Sequence, residues 1–86
     1  MTANTGVRSI AHLARIIEFH RKQAKLSRIA LADIAGVGKT VVYDIENGKE
    51  TVQLDTLLKL LGALNISLSL DSPMMDRYKA AEHAES

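Results

Sequence analysis

The chain has 86 residues, a formal net charge of +1 and no cysteine. This length accommodates one small domain, and the lack of cysteine excludes disulfides and thiolate metal sites, which favours a reducing cytoplasm. No apolar run approaches the roughly 20 residues that a membrane span requires, so we expect no membrane partner.

The first predicted helix follows an N-terminal arm. Residues 1–8 lack periodicity and are predicted to be flexible, and Ser9 is a good N-cap for a helix over residues 9–24. Its apolar stripe recurs at three- and four-residue steps and comprises Ile10, Leu13, Ile16, Ile17 and His20. Five cations and one acid lie between Arg15 and Arg28. These charges could simply form a solvated helix face. They could instead face DNA phosphates, an interpretation favoured only because the segment directly precedes the two short helices described next.

Residues 28–46 are predicted to form two short helices joined by a tight turn. Gly36 lies at the corner, because glycine adopts the left-handed conformation that stops a helix without a Cβ clash. Ser27 caps the first helix, whereas Gly38 precedes the second at a position where Ser or Thr would cap better. The core positions at helical spacing are Leu31, Ala35, Val42 and Ile45. Val37 fills the corner, and Ala32 is small where the two helices would have to cross closely.

The second of these helices, residues 39–46, has an outward-facing side. It begins immediately after the turn and ends at Asn47-Gly48, a strong stop signal. The residues that point outward are Lys39, Thr40, Tyr43 and Asp44. This is the layout of a helix-turn-helix, in which the first helix braces the second so that its N-terminal end enters a DNA major groove. The pattern therefore indicates double-stranded DNA as a partner.

The C-terminal part of the domain changes its hydrophobic period. A helix is predicted over residues 54–64, with one face formed by Leu54, Leu57, Leu58, Leu61 and Leu64. Residues 66–70 (ISLSL) alternate apolar and polar, which predicts a short β-strand. Because a single strand cannot satisfy its own backbone groups, we expect Ile66, Leu68 and Leu70 to lie in a strand that pairs with a second copy of the chain. An extended segment that covers the core is the alternative.

Residues 71–86 form an acidic tail. They carry two Lys or Arg against four Asp or Glu, whereas residues 1–70 carry nine against six. Ser72-Pro73 could start a short helix through Arg77 to Ala84. Because the segment has no apolar pattern that would pack against the core, we favour a frayed tail.

Two other readings of the sequence are rejected. GVGKT, residues 36–40, is similar to a nucleotide-binding loop, but Asp33 stands where the motif GxxxxGK[ST] requires its first glycine. His12 and His20 are eight residues apart and face away from each other, and no nucleophile has a neighbouring histidine. We therefore expect no enzyme activity, no metal and no cofactor.

Arg21 and Glu46 are the best candidates for a structural ion pair. Arg21 lies late in the first helix on the flank of its apolar stripe, and Glu46 follows the inward-facing Ile45. The alternative is that they are two unrelated surface charges.

A family resemblance is carried by LSRIALADIAGVGKTVVYDIENGKE, residues 26–50. This segment resembles the helix-turn-helix of the lambda-repressor-like family, also called XRE, in which a bracing helix ends in Ala-Gly-Val and a recognition helix in Ile-Glu-Asn-Gly-Lys. Residues 51–70 resemble the HipB-type antitoxin subgroup. The likeness covers residues 9–70 and implies an all-α helix-turn-helix domain with a short C-terminal β-strand that pairs across a homodimer.

The resemblance also implies roles for individual residues. The family's ion pair between its first and third helices falls on Arg21 and Glu46. The implied base-reading residues are Lys39, Thr40, Tyr43 and Asp44, and the implied phosphate contacts are Arg28, Asn47 and Lys49. Members of the family often have a phosphate-binding glutamine at the position of Arg28. An arginine there keeps the phosphate-binding role and adds a positive charge. Asp44 either accepts from cytosine N4 or pairs with Lys39 and stays off the bases.

The function implied by the resemblance is that of a repressor. It would bind a palindromic operator as a homodimer, repress its own operon as an antitoxin and bind a HipA-type kinase toxin. One alternative is a stand-alone or phage-type repressor without a toxin. Another is a protein-interaction module that has lost DNA binding, which the modest charge, Asp44 and Gly38 would suit; it predicts little salt dependence of any DNA affinity.

Overall fold

The computed structural model describes residues 3–85, which contain five helices and no β-strand. In chain order the helices are α1 (Ile10–Gln23), α2 (Arg28–Ala35), α3 (Lys39–Glu46), α4 (Leu54–Ala63) and α5 (Met75–Glu85). α2 packs against both α3 and α4, and α1 packs against α3. The predicted all-α class is confirmed, and the first four helices begin and end within about a residue of the predicted positions. None of the helices described has the length and apolarity to cross a membrane.

Serine side chains fix the start of the first two helices. Ser9 Oγ accepts a hydrogen bond from the His12 N–H at 3.1 Å, and Ser27 Oγ accepts one from the Ala30 N–H at 3.0 Å. Gly38 has no side-chain oxygen, so α3 begins without a side-chain cap. Each serine satisfies one of the amide groups that the first turn of a helix leaves unpaired.

A residue in the left-handed conformation ends each of the first four helices. These residues are Lys25, Gly36, Gly48 and Asn65, with φ between 59° and 81°. After α2, for example, the Val37 N–H donates back to the Ala32 carbonyl at 3.0 Å. The apolar residues that follow three of the four positions pack against the core; they are Leu26, Val37 and Ile66. Each of these three turns therefore ends a helix and returns the chain to the core.

The core consists of aliphatic side chains from α1 to α4. Its buried members are Leu13, Ile17, Leu31, Ala32, Val42, Ile45, Leu57, Leu60 and Leu61. The core positions predicted for the helix-turn-helix all belong to it, with Ala35 and Val37 partly buried against the rest. Val42 and Ile45 are turned inward on α3, which leaves the other side of that helix for solvent.

Two of the predicted apolar faces are partly wrong. In α1, His20 is exposed and its Nδ1 lies 2.7 Å from the Ile16 carbonyl, while Arg21 is buried in its place. In α4, Leu54 and Leu58 are exposed, and the buried stripe is Leu57, Leu60 and Leu61. Asp55 and Lys59 mark the outer side of α4, and Leu54 and Leu58 lie on its flank between that side and the buried stripe, so the spacing of the leucines alone does not give the rotation of the helix.

The structure after α4 differs from the predicted strand at residues 66–70 and from the predicted frayed tail at residues 71–86. Residues 66–70 have no regular secondary structure, and residues 67–71 form no backbone hydrogen bond with any part of the described chain. The strand is therefore absent from the single chain, and its pairing across a dimer stays a prediction. The frayed tail is wrong, because the short helix forms as α5. Ser72 Oγ accepts from the Met74 N–H at 3.3 Å, and Asp76 lies in the first turn, where a carboxylate is favourable.

Candidate nucleic-acid interface

The outer side of α3 carries polar side chains at its N-terminal end. Lys39 and Thr40 are exposed in the first turn, and Tyr43 follows one turn later with 42% of its surface exposed. The burial of Val42 and Ile45 on the opposite side fixes the rotation of the helix about its axis. The predicted base-reading residues therefore lie together on one surface, with Asp44 half-buried at its edge.

A buried ion pair ties α3 to α1. Arg21 donates from Nε and Nη2 to the two carboxylate oxygens of Glu46, at 2.6 Å and 3.0 Å. The Arg21 Nη1 donates to the Leu26 carbonyl at 2.8 Å, which satisfies the third nitrogen of the guanidinium. The side chains of Arg21 and Glu46 are 8% and 1% exposed. The structure thus brings the predicted partners together as a bidentate pair.

A second arginine, from α2, shares the same carboxylate. Arg28 donates from Nε to Glu46 Oε1 at 3.1 Å, and its Nη2 lies 4.0 Å from Glu18 Oε2 of α1. The hydrogen bond that Arg28 donates to Glu46 raises the pKa of Arg28 above its already high ordinary value. The guanidinium therefore carries its charge at any physiological pH. Arg28 was predicted as a phosphate contact, and the structure gives its guanidinium two carboxylate neighbours as well.

Arg28 also stacks on a recognition-helix side chain. Its guanidinium carbon lies 4.8 Å from the centroid of the Tyr43 ring, a cation–π geometry. The sequence analysis did not anticipate this contact. The sequence did contain a signal for this contact. Tyr43 and Glu46 are three residues apart and hence on one side of α3, where both can face the start of the bracing helix.

Asp44 pairs with Lys49, and not with Lys39, which was the alternative to a base contact. Its Oδ2 lies 3.5 Å from Lys49 Nζ, beyond the end of α3, instead of beside Lys39. The left-handed turn at Gly48 causes this, since it brings Lys49 back over the helix end, where its N–H donates to the Asp44 carbonyl at 3.0 Å. Lys39 consequently keeps its ammonium group clear of this carboxylate. Asn47, the third predicted phosphate contact, is exposed at the end of the helix.

The surface of α3 presents several hydrogen-bond donors and one carboxylate, that of Asp44. Lys39 offers an ammonium group, and Thr40 and Tyr43 offer hydroxyl groups, all of which suit base edges and phosphate oxygens. Within residues 3–85 no buried side-chain nitrogen or oxygen lacks a hydrogen-bond partner. The same residues contain no cluster of His, Asp and Glu that could hold a metal ion.

Comparison with protein families and known sequences gives two matches that cover most of this region. A family model described as HTH_3, Helix-turn-helix, matches residues 17–70. The HTH-type transcriptional regulator y4mF of Sinorhizobium fredii is 31% identical over 67 residues, which are 78% of this chain and 88% of that protein.

Solved structures share the fold. The HipB-O4 20mer complex matches with a TM-score of 0.73 and 24% identity, over 81% of this chain and 99% of that chain. The structure of the HipA-HipB-O2-O3 complex gives the same TM-score, identity and coverage. The HipB-O1-O2 complex matches with a TM-score of 0.72 and 25% identity, over 80% of this chain and 100% of that chain. These likenesses show that most of the chain shares the fold of these HipB structures.

We predict that Glu46→Gln destabilises the fold by about 3 kcal/mol, because it leaves the buried Arg21 without its counter-charge. That is a large part of the 5–15 kcal/mol expected for a domain of this kind. Urea unfolding followed by circular dichroism, at one fixed protein concentration, measures the difference. Glu50→Gln is the matched control, since Glu50 is exposed and pairs with no cation within residues 3–85. Equal unfolding midpoints for the two variants would contradict a structural role for the pair.

Proposed function

Because the chain belongs to the XRE-type helix-turn-helix family of transcriptional regulators, we propose that it is a sequence-specific repressor that binds a palindromic DNA operator as a homodimer. Family membership follows from the match over residues 17–70 and from the likeness to the regulator y4mF. It confirms the lambda-repressor-like family predicted for the sequence. The operator, the dimer and the partner described below are our proposals.

The observation that supports DNA reading most strongly is the exposed start of a rigidly held α3. Lys39 donates to guanine O6 and N7, and Thr40 hydrogen-bonds a base or presses its methyl group on thymine. Tyr43 contacts a thymine methyl or a phosphate. Asp44 would accept from cytosine N4 with Oδ1, because its Oδ2 faces Lys49 Nζ at 3.5 Å. The helix enters the major groove N-terminus first, as in other helix-turn-helix domains.

The phosphate contacts surround this reading surface. Asn47 and Lys49 follow α3 and are both exposed, which suits contact with the backbone beside the groove. Arg28, the third residue implied as a phosphate contact, lies next to Tyr43 but has two carboxylates beside its guanidinium, so we do not include it among the phosphate contacts. Contacts of this kind set the register of the protein on the duplex and make its affinity fall with added salt.

The dimer is proposed to form through the segment after α4. Leu68 and Leu70 are exposed, and residues 67–71 have unpaired backbone groups within the described chain. The segment borders a groove of about 610 Å³ that residues 3–7 of the arm and Ile16 of α1 also line. Pairing with the same segment of a second copy would satisfy these backbone groups and cover the leucines. It would also set two recognition helices about one DNA turn apart.

We further propose that the protein is a HipB-type antitoxin that represses its own operon and binds a HipA-type kinase toxin. The support is the resemblance of residues 51–70 to that subgroup and the likeness to HipB in the solved HipA-HipB-O2-O3 complex. A stand-alone or phage-type repressor is the alternative. A kinase-like protein encoded beside this chain, which copurifies with it, would favour the antitoxin.

Selection of bound duplexes from random-sequence DNA tests the repressor proposal. We expect enrichment of a palindrome whose half-sites are about 10 base pairs apart, since each protomer occupies one major groove on the same side of the duplex. Failure to enrich any sequence at low salt would overturn sequence-specific binding and favour a protein-interaction module.

We predict that Lys39→Ala weakens binding to the selected operator by about 1–3 kcal/mol and relaxes base preference at one position in each half-site. The reason is that its ammonium group is exposed and pairs with no carboxylate in the described chain. Fluorescence anisotropy with operator and random duplexes measures both effects. Lys79→Ala on α5 makes the same charge change outside the helix-turn-helix and should change neither. If operator and random DNA weakened equally, Lys39 would be a phosphate contact only.

We predict that Leu68→Asp converts the dimer to a monomer, because it places two carboxylates at the proposed strand pair next to the two-fold axis. Sedimentation velocity measures the change. Ser69→Asp adds the same charge on the alternate side of the segment and should remain dimeric. A Leu68→Asp variant that sedimented as a dimer would show that this segment is not the interface.

A further inference from the structure

We infer that Arg28 is a positioning residue that fixes the orientation of Tyr43, so that a residue of the bracing helix sets what the recognition helix reads. The inference rests on the proposed DNA-binding function. It attributes the selectivity at one base pair of each half-site to the orientation of Tyr43 that Arg28 maintains. It gives Arg28 a role different from the phosphate contact that the family resemblance implies.

The anchor of this arrangement is a buried carboxylate with three hydrogen bonds. Arg28 Nε donates to Glu46 Oε1 at 3.1 Å, and that carboxylate is 1% exposed and already held by both nitrogens of the bidentate Arg21 pair. A guanidinium group is planar, so a hydrogen bond from Nε restricts the direction of the whole plane. The plane of Arg28 is therefore held by the same buried carboxylate that ties α1 to α3.

Tyr43 is the side chain that needs such support. It is 42% exposed on the outer side of α3, where the helix alone permits more than one side-chain rotamer. The Arg28 guanidinium carbon lies 4.8 Å from its ring centroid and covers the ring from the α2 side. A cation–π contact at an exposed site favours the stacked rotamer by about two- to fivefold. The ring thus points at DNA from a defined direction before any DNA is bound.

The surroundings of Arg28 make it a poor phosphate ligand. Its Nε is occupied by Glu46, and its Nη2 lies 4.0 Å from Glu18 Oε2. Glu46 and Glu18 together balance the charges of Arg28 and Arg21, so a phosphate that approaches this group meets little net positive charge. Lys22, 3.7 Å from Glu18, is the other cation at this position and is more exposed.

Arg28→Lys separates the two roles, because lysine keeps the positive charge but has no planar face or Nε donor. The experiment uses the full chain and operators in which each base pair is changed singly. We expect discrimination at one base pair per half-site to fall about two- to fivefold, with the salt dependence of affinity unchanged. We expect Tyr43→Ala to relax the same base pair, and the double variant to relax it no further than Tyr43→Ala alone.

Two outcomes would overturn the inference. One is that Arg28→Lys and Tyr43→Ala change different base pairs with additive effects. The other is that Arg28→Gln weakens operator and random DNA equally and lowers the salt slope by about one, as the loss of a phosphate contact would. Lys25→Gln is the control for charge loss near this surface, since Lys25 is exposed and should leave base preference unchanged.

A measurement without DNA distinguishes this inference from the proposed function. Three-bond couplings of the Tyr43 β-protons report side-chain rotamers in the free protein. We expect one dominant rotamer in the native chain and averaging in Arg28→Lys. The same averaged couplings in both proteins would overturn the positioning role even if the native chain binds DNA. A single rotamer that is lost in Arg28→Lys would keep that role if the native chain proved not to bind DNA.

Discussion

The arrangement of the first three helices depends on one buried carboxylate. Glu46, at the end of α3, is 1% exposed and accepts hydrogen bonds from Arg21 of α1 and Arg28 of α2. A desolvated carboxylate is tolerable only while its charge and its lone pairs are satisfied. The three helices therefore cannot shift relative to one another without breaking a charged hydrogen bond. The apolar core stabilises their contact, and the ion pairs select one relative orientation.

This constraint matters because α2 and α3 are only eight residues long. Helices of that length are marginal by themselves, so their order comes from tertiary packing. Val42 and Ile45 hold one side of α3 in the core, and Glu46 holds its end. Lys39 and Tyr43 consequently project from a helix whose rotation and position are both fixed. Sequence-specific DNA reading requires such preorganisation, since base contacts depend on side-chain direction.

Helix positions could be predicted from the sequence because they depend on local features. Serine caps, the glycine turn and apolar spacing locate α1 to α4 almost to the residue, and the Arg21–Glu46 pair follows from its place beside buried residues. The contacts that were missed depend on distances between elements. The stacking of Arg28 on Tyr43, the Asp44–Lys49 pair and the rotation of α4 all require knowledge of how the helices cross. Residues 66–70 form no strand in the single chain, where residues 67–71 have no backbone partner, and their pairing across a dimer stays a prediction.

We propose that the outer side of α3 and its flanks form a DNA interface on each half of a symmetric dimer. The most direct test is the affinity of the native chain for its selected operator between about 50 and 200 mM salt. Neutralisation of four phosphates per dimer predicts that log K falls linearly with log salt, with a slope of about −3.6. A slope near zero would contradict the claim, because it would mean that this surface binds without contacting the phosphate backbone.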